Sequence, residues 1–108
     1  MSKASRPHNE AVIELLREDP AFADEYLAAS MEAIDEPGGR EALLAALRQV
    51  AEAQGMATVA ERAGIKREGL YRALSPKGNP TLKTLMAILG AADLRLTVTR
   101  REETPHPA

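Results

Sequence analysis

The stretch Met56-Ala57-Thr58-Val59-Ala60-Glu61-Arg62-Ala63-Gly64-Ile65-Lys66-Arg67-Glu68-Gly69-Leu70-Tyr71-Arg72-Ala73-Leu74 reads as two short helices joined by a glycine turn. Thr58-Val59-Ala60-Glu61 has capping-box spacing, in which the Thr and Glu side chains satisfy each other's free backbone N–H groups, so the first helix is predicted to start there. Gly64 can take a positive φ at no steric cost, which suits the turn. The second helix is predicted over about Arg67 to Leu74, with Ser75-Pro76 ending it. A helix-turn-helix needs a small residue where its helices cross, and Ala60 meets that need. Val59, Ala63, Ile65, Leu70 and Leu74 are apolar where such a unit must pack on its own core. A unit of this kind lays its second helix in the major groove of DNA, N-terminal residues toward the bases.

Working outward, punctuation residues divide the rest of the chain into further helices. Asn9 is the predicted cap of a first helix carrying Val12, Ile13, Leu15 and Leu16. Asp19-Pro20 is a break and restart, and the second helix should reach about Asp35 with Leu27, Met31 and Ile34 inward. Pro37-Gly38-Gly39 ends it. A third helix is predicted over about Arg40 to Gln54, with Leu43, Leu44, Leu47, Val50 and Ala51 on one stripe and Gly55 as its stop. Beyond the central unit, Thr81 is placed to cap a helix with Leu82, Leu85, Met86 and Leu89 inward, ending at Gly90. Leu94-Arg95-Leu96-Thr97-Val98-Thr99 alternates apolar and polar, the pattern of a half-buried strand and a pairing edge for a second copy or another protein. The expected organisation is a flexible N-terminus (1–8), a single domain (9–99) and a flexible tail (100–108). Within the domain, 9–39 are acidic helices, 40–90 the helix-turn-helix core and 94–99 the strand.

The 108 residues support one compact domain, and 44% apolar with 28% charged residues excludes a disordered chain. The absence of cysteine rules out a disulfide framework, a cysteine zinc site and a thiol nucleophile together. No apolar run reaches the ~20 residues that a membrane helix needs, and the first residues have no apolar signal core, so a cytoplasmic protein with no membrane partner is expected. The formal charge of −2 conceals a division. Residues 1–55 hold five basic against eleven acidic residues, a net of −6, whereas residues 56–84 hold six against two, a net of +4. An acidic half beside a basic quarter predicts two surfaces with different partners.

A second, longer run sharpens this. Gly64-Ile65-Lys66-Arg67-Glu68-Gly69-Leu70-Tyr71-Arg72-Ala73-Leu74-Ser75, followed by Gly78-Asn79-Pro80-Thr81-Leu82-Lys83-Thr84-Leu85, resembles the addiction-module antidote proteins, small HigA-like antitoxins with an Xre/Cro-type helix-turn-helix. Asp24-Glu25-Tyr26-Leu27, Val50-Ala51-Glu52-Ala53-Gln54-Gly55 and Leu94-Arg95-Leu96 resemble the same family, so the likeness covers about Asn9 to Thr99. It implies a mainly α fold, a small helical bundle with a lambda-repressor-like helix-turn-helix, to which the alternation at 94–99 would add a short C-terminal β-strand. It also implies an antitoxin that binds a RelE-like toxin and represses its own operon, working on double-stranded operator DNA as a homodimer.

Lys66, Arg67 and Arg72 cluster on the second helix and give the charge that a phosphate backbone attracts. Arg67 and Arg72 are the leading candidates for contact, because a guanidinium presents two parallel donors to guanine or to a phosphate. Glu68 either accepts from cytosine N4 or simply favours the helix N-terminus. Tyr71 either donates to a phosphate or touches a thymine methyl, or its ring covers the core edge. Lys66 occupies a position that usually holds a capping Ser or Thr, so this helix is expected to lack a side-chain cap. Gly69 either permits close approach to DNA or is merely tolerated. Lys77, Asn79, Thr81, Lys83 and Thr84 form a second group around a helix start, suited to a phosphate or, for Thr81, to ordinary capping.

His8 and His106 lack partners at ligand spacing, and Met31, Met56 and Met86 read as core filler. No Gly-rich phosphate loop, histidine pair or nucleophile elbow is present, so no enzyme, metal or cofactor is expected. Two other functions stay open on the sequence: a stand-alone prophage-type regulator, and a protein-interaction module whose DNA binding is vestigial.

Overall fold

The computed structural model describes residues 2–101, with side chains from His8 onward. It is helical: α1 (Ser2–Glu18), α2 (Phe22–Glu32), α3 (Gly39–Gln54), α4 (Met56–Ala63), α5 (Arg67–Ala73) and α6 (Leu82–Ala91). α3 runs through the middle. α1 and α2 pack on it from the acidic end of the chain, and α4 and α6 pack on it and most closely on each other. Leu70, Leu74, Ile88, Val50 and Val59 are the largest fully buried side chains, so four different helical segments meet in one core. At seven residues α5 is too short to be stable alone, and it is held by burying Leu70 with Leu74 just past its end.

The strongest sequence stops hold. Chain reversal follows Asp19-Pro20, where Phe22 N–H bonds to the Asp19 carbonyl at 2.9 Å, and α3 closes at Gly55 with φ 103°. Several expectations need correction. The first helix begins at Ser2 rather than at a cap on Asn9. Asn9 lies inside the helix, where its Oδ1 accepts from Gln49 Nε2 at 2.8 Å. α2 ends at Glu32, before Ile34, and its buried positions are Ala23 and Leu27, which leaves Met31 exposed. α4 starts at Met56 because Gly55 lets the chain re-enter a helix at once. Thr58 is already inside that helix, and no side-chain cap forms. Met56 is buried, as core filler should be.

On α6 the inward stripe is Thr84, Ala87 and Ile88 with Leu89, whereas Leu82 and Met86 face outward. Apolar residues surround this helix on nearly every side, so periodicity could not select a face; packing against α4 does. The expected C-terminal strand is absent: no strand occurs among the described residues. α6 instead ends in paired bonds, Leu94 N–H to the Leu89 carbonyl at 2.7 Å and Asp93 N–H to Gly90 at 3.0 Å, with Asp93 left-handed at φ 61°. Leu94 tucks against the core, while Leu96 and Val98 stay exposed. A strand needs a second strand to receive its N–H and C=O groups, and the described residues offer none. Residues 102–108, most of the expected tail and including His106, lie outside the described residues.

Candidate nucleic-acid interface

The central unit forms as two helices around a glycine. Gly64 sits at φ 71°, and the paired bonds of a left-handed helix end close there: Ile65 N–H to the Ala60 carbonyl at 3.0 Å and Gly64 N–H to Glu61 at 3.1 Å. Ala60 and Ala63 are fully buried, which lets α4 approach its neighbours closely. Ile65, expected in the core, is instead 37% exposed. The chain turns at Lys66 (φ −78°, ψ 154°) and enters α5 with no side-chain cap, as its residue type implied.

Lys66, Arg67 and Glu68 stand exposed at the start of α5, and Arg72 is exposed in its last turn. Tyr71 is half-buried, and its ring packs on the core beneath the Arg48 guanidinium, 5.2 Å from the ring centre. Its covering role is therefore real, although the ring remains partly open to solvent. Gly69 has nothing within 4 Å of where a Cβ would stand, so packing inside the protein does not require glycine. Gly78 differs: it is buried in the loop after α5, and a Cβ there would run into the Ala73 carbonyl oxygen.

That loop carries Lys77 and Asn79, both exposed. Arg40, at the start of α3, donates to the Gly78 carbonyl at 2.9 Å and reaches Asn79 Oδ1 at 3.5 Å, tying the loop to the central helix. Thr81 caps α6: its Oγ1 accepts from Thr84 N–H at 3.1 Å, and its hydroxyl meets Thr84 Oγ1 at 3.1 Å. Thr84 is only 3% exposed, so its side chain is spent inside the protein. Lys83 is exposed but leans toward the glycine turn, where its Nζ would lie 3.2 Å from a Cβ on Gly64. With Arg62, Leu82, Met86 and Ala87 it lines a shallow depression of about 550 Å³.

The structure thus gathers Arg67, Glu68 and Arg72 on one short helix, with Lys66 just before it and Lys77 and Asn79 on the loop that follows it. Among the described residues the ion pairs are Arg17–Glu14, Arg48–Glu52 and Arg101–Asp35, none of which involves these cations. None of these cations is therefore held in an ion pair among the described residues, and Glu68 is the one acid on the same helix. Two supporting residues escaped the sequence reading, Arg40 and Arg48. Both precede the basic segment, and nothing local marks a bond that spans 38 residues or a ring met across helices. Among the described residues no group of three or more His, Asp or Glu is placed to hold a metal, and no helix is long and apolar enough to cross a membrane.

No solved structure matches the chain significantly. An uncharacterized protein of Haemophilus influenzae is 48% identical over 58 residues, which is 54% of this chain and 60% of the relative, so the chain spans less than two thirds of that relative. A family model described as "Probable addiction module antidote protein" matches residues 11–100, a span that takes in all of the helix–glycine–helix unit, its supporting helices and the segment after α6. The helical architecture around Gly64 and this match agree, and the chain belongs to the addiction module antidote protein family.

Proposed function

We propose that this chain is a DNA-binding antitoxin of the HigA-like Xre/Cro type. It reads operator DNA through α4 and α5 as a homodimer, represses its own operon and neutralises a RelE-like toxin. The observation that carries this reading is the set of exposed, unpaired cations on and beside α5, namely Lys66, Arg67, Arg72 and Lys77. A positive cluster with no ion pairs of its own gains from displacing the counterions of a phosphate backbone, and a short exposed helix fits the major groove. Arg67 and Glu68 at the helix start are the base-reading candidates. Arg72, Lys77, Asn79, Tyr71 and the α6 start at Thr81 with Lys83 are the phosphate-contacting ones. One recognition helix per chain reads too few bases for an operator, so two copies would address half-sites about one helical turn apart. The acidic face of α1 and α2, with Glu14, Glu18, Asp24, Glu25 and Glu32 exposed, suits a basic toxin.

Fluorescence anisotropy with DNA from upstream of the gene, over a range of salt, tests the reading together with a growth-rescue assay. Arg67→Ala with Arg72→Ala should weaken binding, about 1–3 kcal/mol for each base-contacting arginine lost, and flatten the salt dependence. Toxin neutralisation should survive. If the double variant represses its operon as well as wild type, the DNA-reading assignment is wrong.

A further inference from the structure

The outward face of α6 carries an apolar pair that the core does not use. Leu82 and Met86 are 63% and 56% exposed, the two most exposed large apolar side chains on any described helix. Leu82, Met86 and Gly90 recur at helical spacing and share one face of α6. Leu82 and Met86 line the shallow depression of about 550 Å³ beside α4, and Arg62 and Lys83 stand at its rim. Both cations lie where a glycine leaves room. A Cβ on Gly90 would meet Arg62 Nη1 at 3.3 Å, and one on Gly64 would meet Lys83 Nζ at 3.2 Å. Neither cation forms an ion pair among the described residues. Glu61 neighbours Arg62 along α4, but adjacent residues of a helix do not face each other. The depression therefore joins an apolar floor to a positive rim.

We propose that this depression is a docking groove for an acidic amphipathic helix of another protein. Two apolar side chains one turn apart on that helix cover Leu82 and Met86, and the carboxylates that flank them meet Arg62 and Lys83. The chemistry of the groove selects this occupant over the alternatives. A phosphate backbone would satisfy the two cations but would lay charge on Leu82 and Met86. A basic protein, of the kind that the acidic face of α1 and α2 suits, is repelled by Arg62 and Lys83. A second copy could offer only that acidic face. Such a contact joins two different surfaces and leaves each copy open to the next, so it builds chains rather than a closed pair. A small ligand would stay largely in water in so shallow a site. A partner strand is not matched either, because the groove is lined by helices and offers side chains, not open backbone groups. A helix arrives with its backbone bonds already made. Methionine suits such a face, since its unbranched, polarizable side chain adapts to the shape laid on it. The groove is distinct from α5 and from the acidic face, so it stands whether or not the chain reads DNA.

The probe is a fluorescein-labelled peptide of about 18 residues, alanine-rich so that it is helical, with glutamates flanking two leucines one turn apart. Two control peptides carry lysine in place of glutamate, or alanine in place of leucine. Fluorescence anisotropy with the full chain should show saturable binding of the glutamate–leucine peptide, weakened by salt, and about tenfold or more weaker binding of either control. Leu82→Gln with Met86→Gln should lose a similar factor at an unchanged melting temperature, because both side chains already stand in solvent. Arg62→Glu with Lys83→Glu should exchange the preference and favour the lysine peptide. No saturable binding to wild type, equal binding of the three peptides, or full binding by the glutamine double variant overturns the groove. Wild-type self-association that grows with concentration and vanishes in the glutamine variant gives the face to a second copy and overturns it as well. Loss of DNA affinity in that variant, with no peptide bound by wild type, gives the face to DNA and does the same. A chain that binds the peptide as expected but no operator DNA removes the DNA-reading function and leaves the groove standing.

Discussion

The Arg48 guanidinium lies over the face of the Tyr71 ring, 5.2 Å from its centre, and so joins the central helix α3 to the exposed helix α5. The same Arg48 donates through Nε to Glu52 at 2.8 Å, which fixes the guanidinium plane. A helix as short as α5 depends on such contacts for its orientation, because its own hydrogen bonds cannot hold it. Arg48→Ala should destabilise the protein by about 0.5–1 kcal/mol, as expected for a partly exposed cation over an aromatic face. Tyr71→Phe keeps the ring and should leave thermal stability unchanged. A drop in DNA affinity for Tyr71→Phe at constant Tm would assign the hydroxyl to a phosphate.

Gly69 offers a separation of stability from binding. Replacing it with alanine meets nothing in the protein and removes a helix-interior glycine, so Gly69→Ala should stabilise by about 0.5–1 kcal/mol. Chemical denaturation reads that gain. If DNA closes on this face of α5, the same variant binds operator more weakly; unchanged binding would show that the glycine is only tolerated.

The Thr81–Thr84 pair sets the start of α6. Thr81→Ala removes the oxygen that accepts from Thr84 N–H and should cost about 0.5–2 kcal/mol. Thr84→Val buries a methyl where a hydroxyl had its partner, and its effect should appear in the melting curve rather than in DNA affinity, since the side chain does not reach the surface. Lys83→Ala, by contrast, should change the salt dependence of DNA binding more than the melting temperature.

A polar chain crosses the N-terminal half: Tyr26 O–H donates to Gln49 Oε1, and Gln49 Nε2 donates to Asn9 Oδ1. Gln49 is buried, so Tyr26→Phe should leave an acceptor unsatisfied at a cost of about 1–3 kcal/mol. Burial raises the Tyr26 phenol above its usual 10.0, which means the folded state holds this proton more tightly than the unfolded chain. The contribution is therefore complete below the usual phenol value and is lost as pH rises through the raised one. Denaturant melts at increasing alkaline pH should show wild type losing stability through that window, and Tyr26→Phe should be flatter there.

Much of this architecture was legible in residue order because its causes are local. Asp19-Pro20, Gly55, Gly64 and Thr81 each act within a turn or two of backbone, so the breaks fall where those residues stand. The grouping of Lys66, Arg67 and Arg72 was equally legible, since any helix across that stretch carries them together. Start points were read less well where a cap signal competed with burial. Thr58-Val59-Ala60-Glu61 has the right spacing for a cap, yet Met56 is buried and Gly55 allows the helix to begin earlier.

By itself, then, the sequence determined the number and order of the helices from Asn9 onward, the left-handed turn at Gly64 and the division of charge, all of which depend on neighbours along the chain. Only the tertiary structure decided which face of α6 is buried, that Thr84 turns inward, and that Arg40 and Arg48 brace the loop and helix that carry the basic residues. It also decided that residues 94–99 pair with no strand among the described residues. Each of these depends on which surfaces meet across long separations. Spacing alone cannot select among the several apolar faces that α6 presents, nor tell an alternating segment that pairs from one that does not.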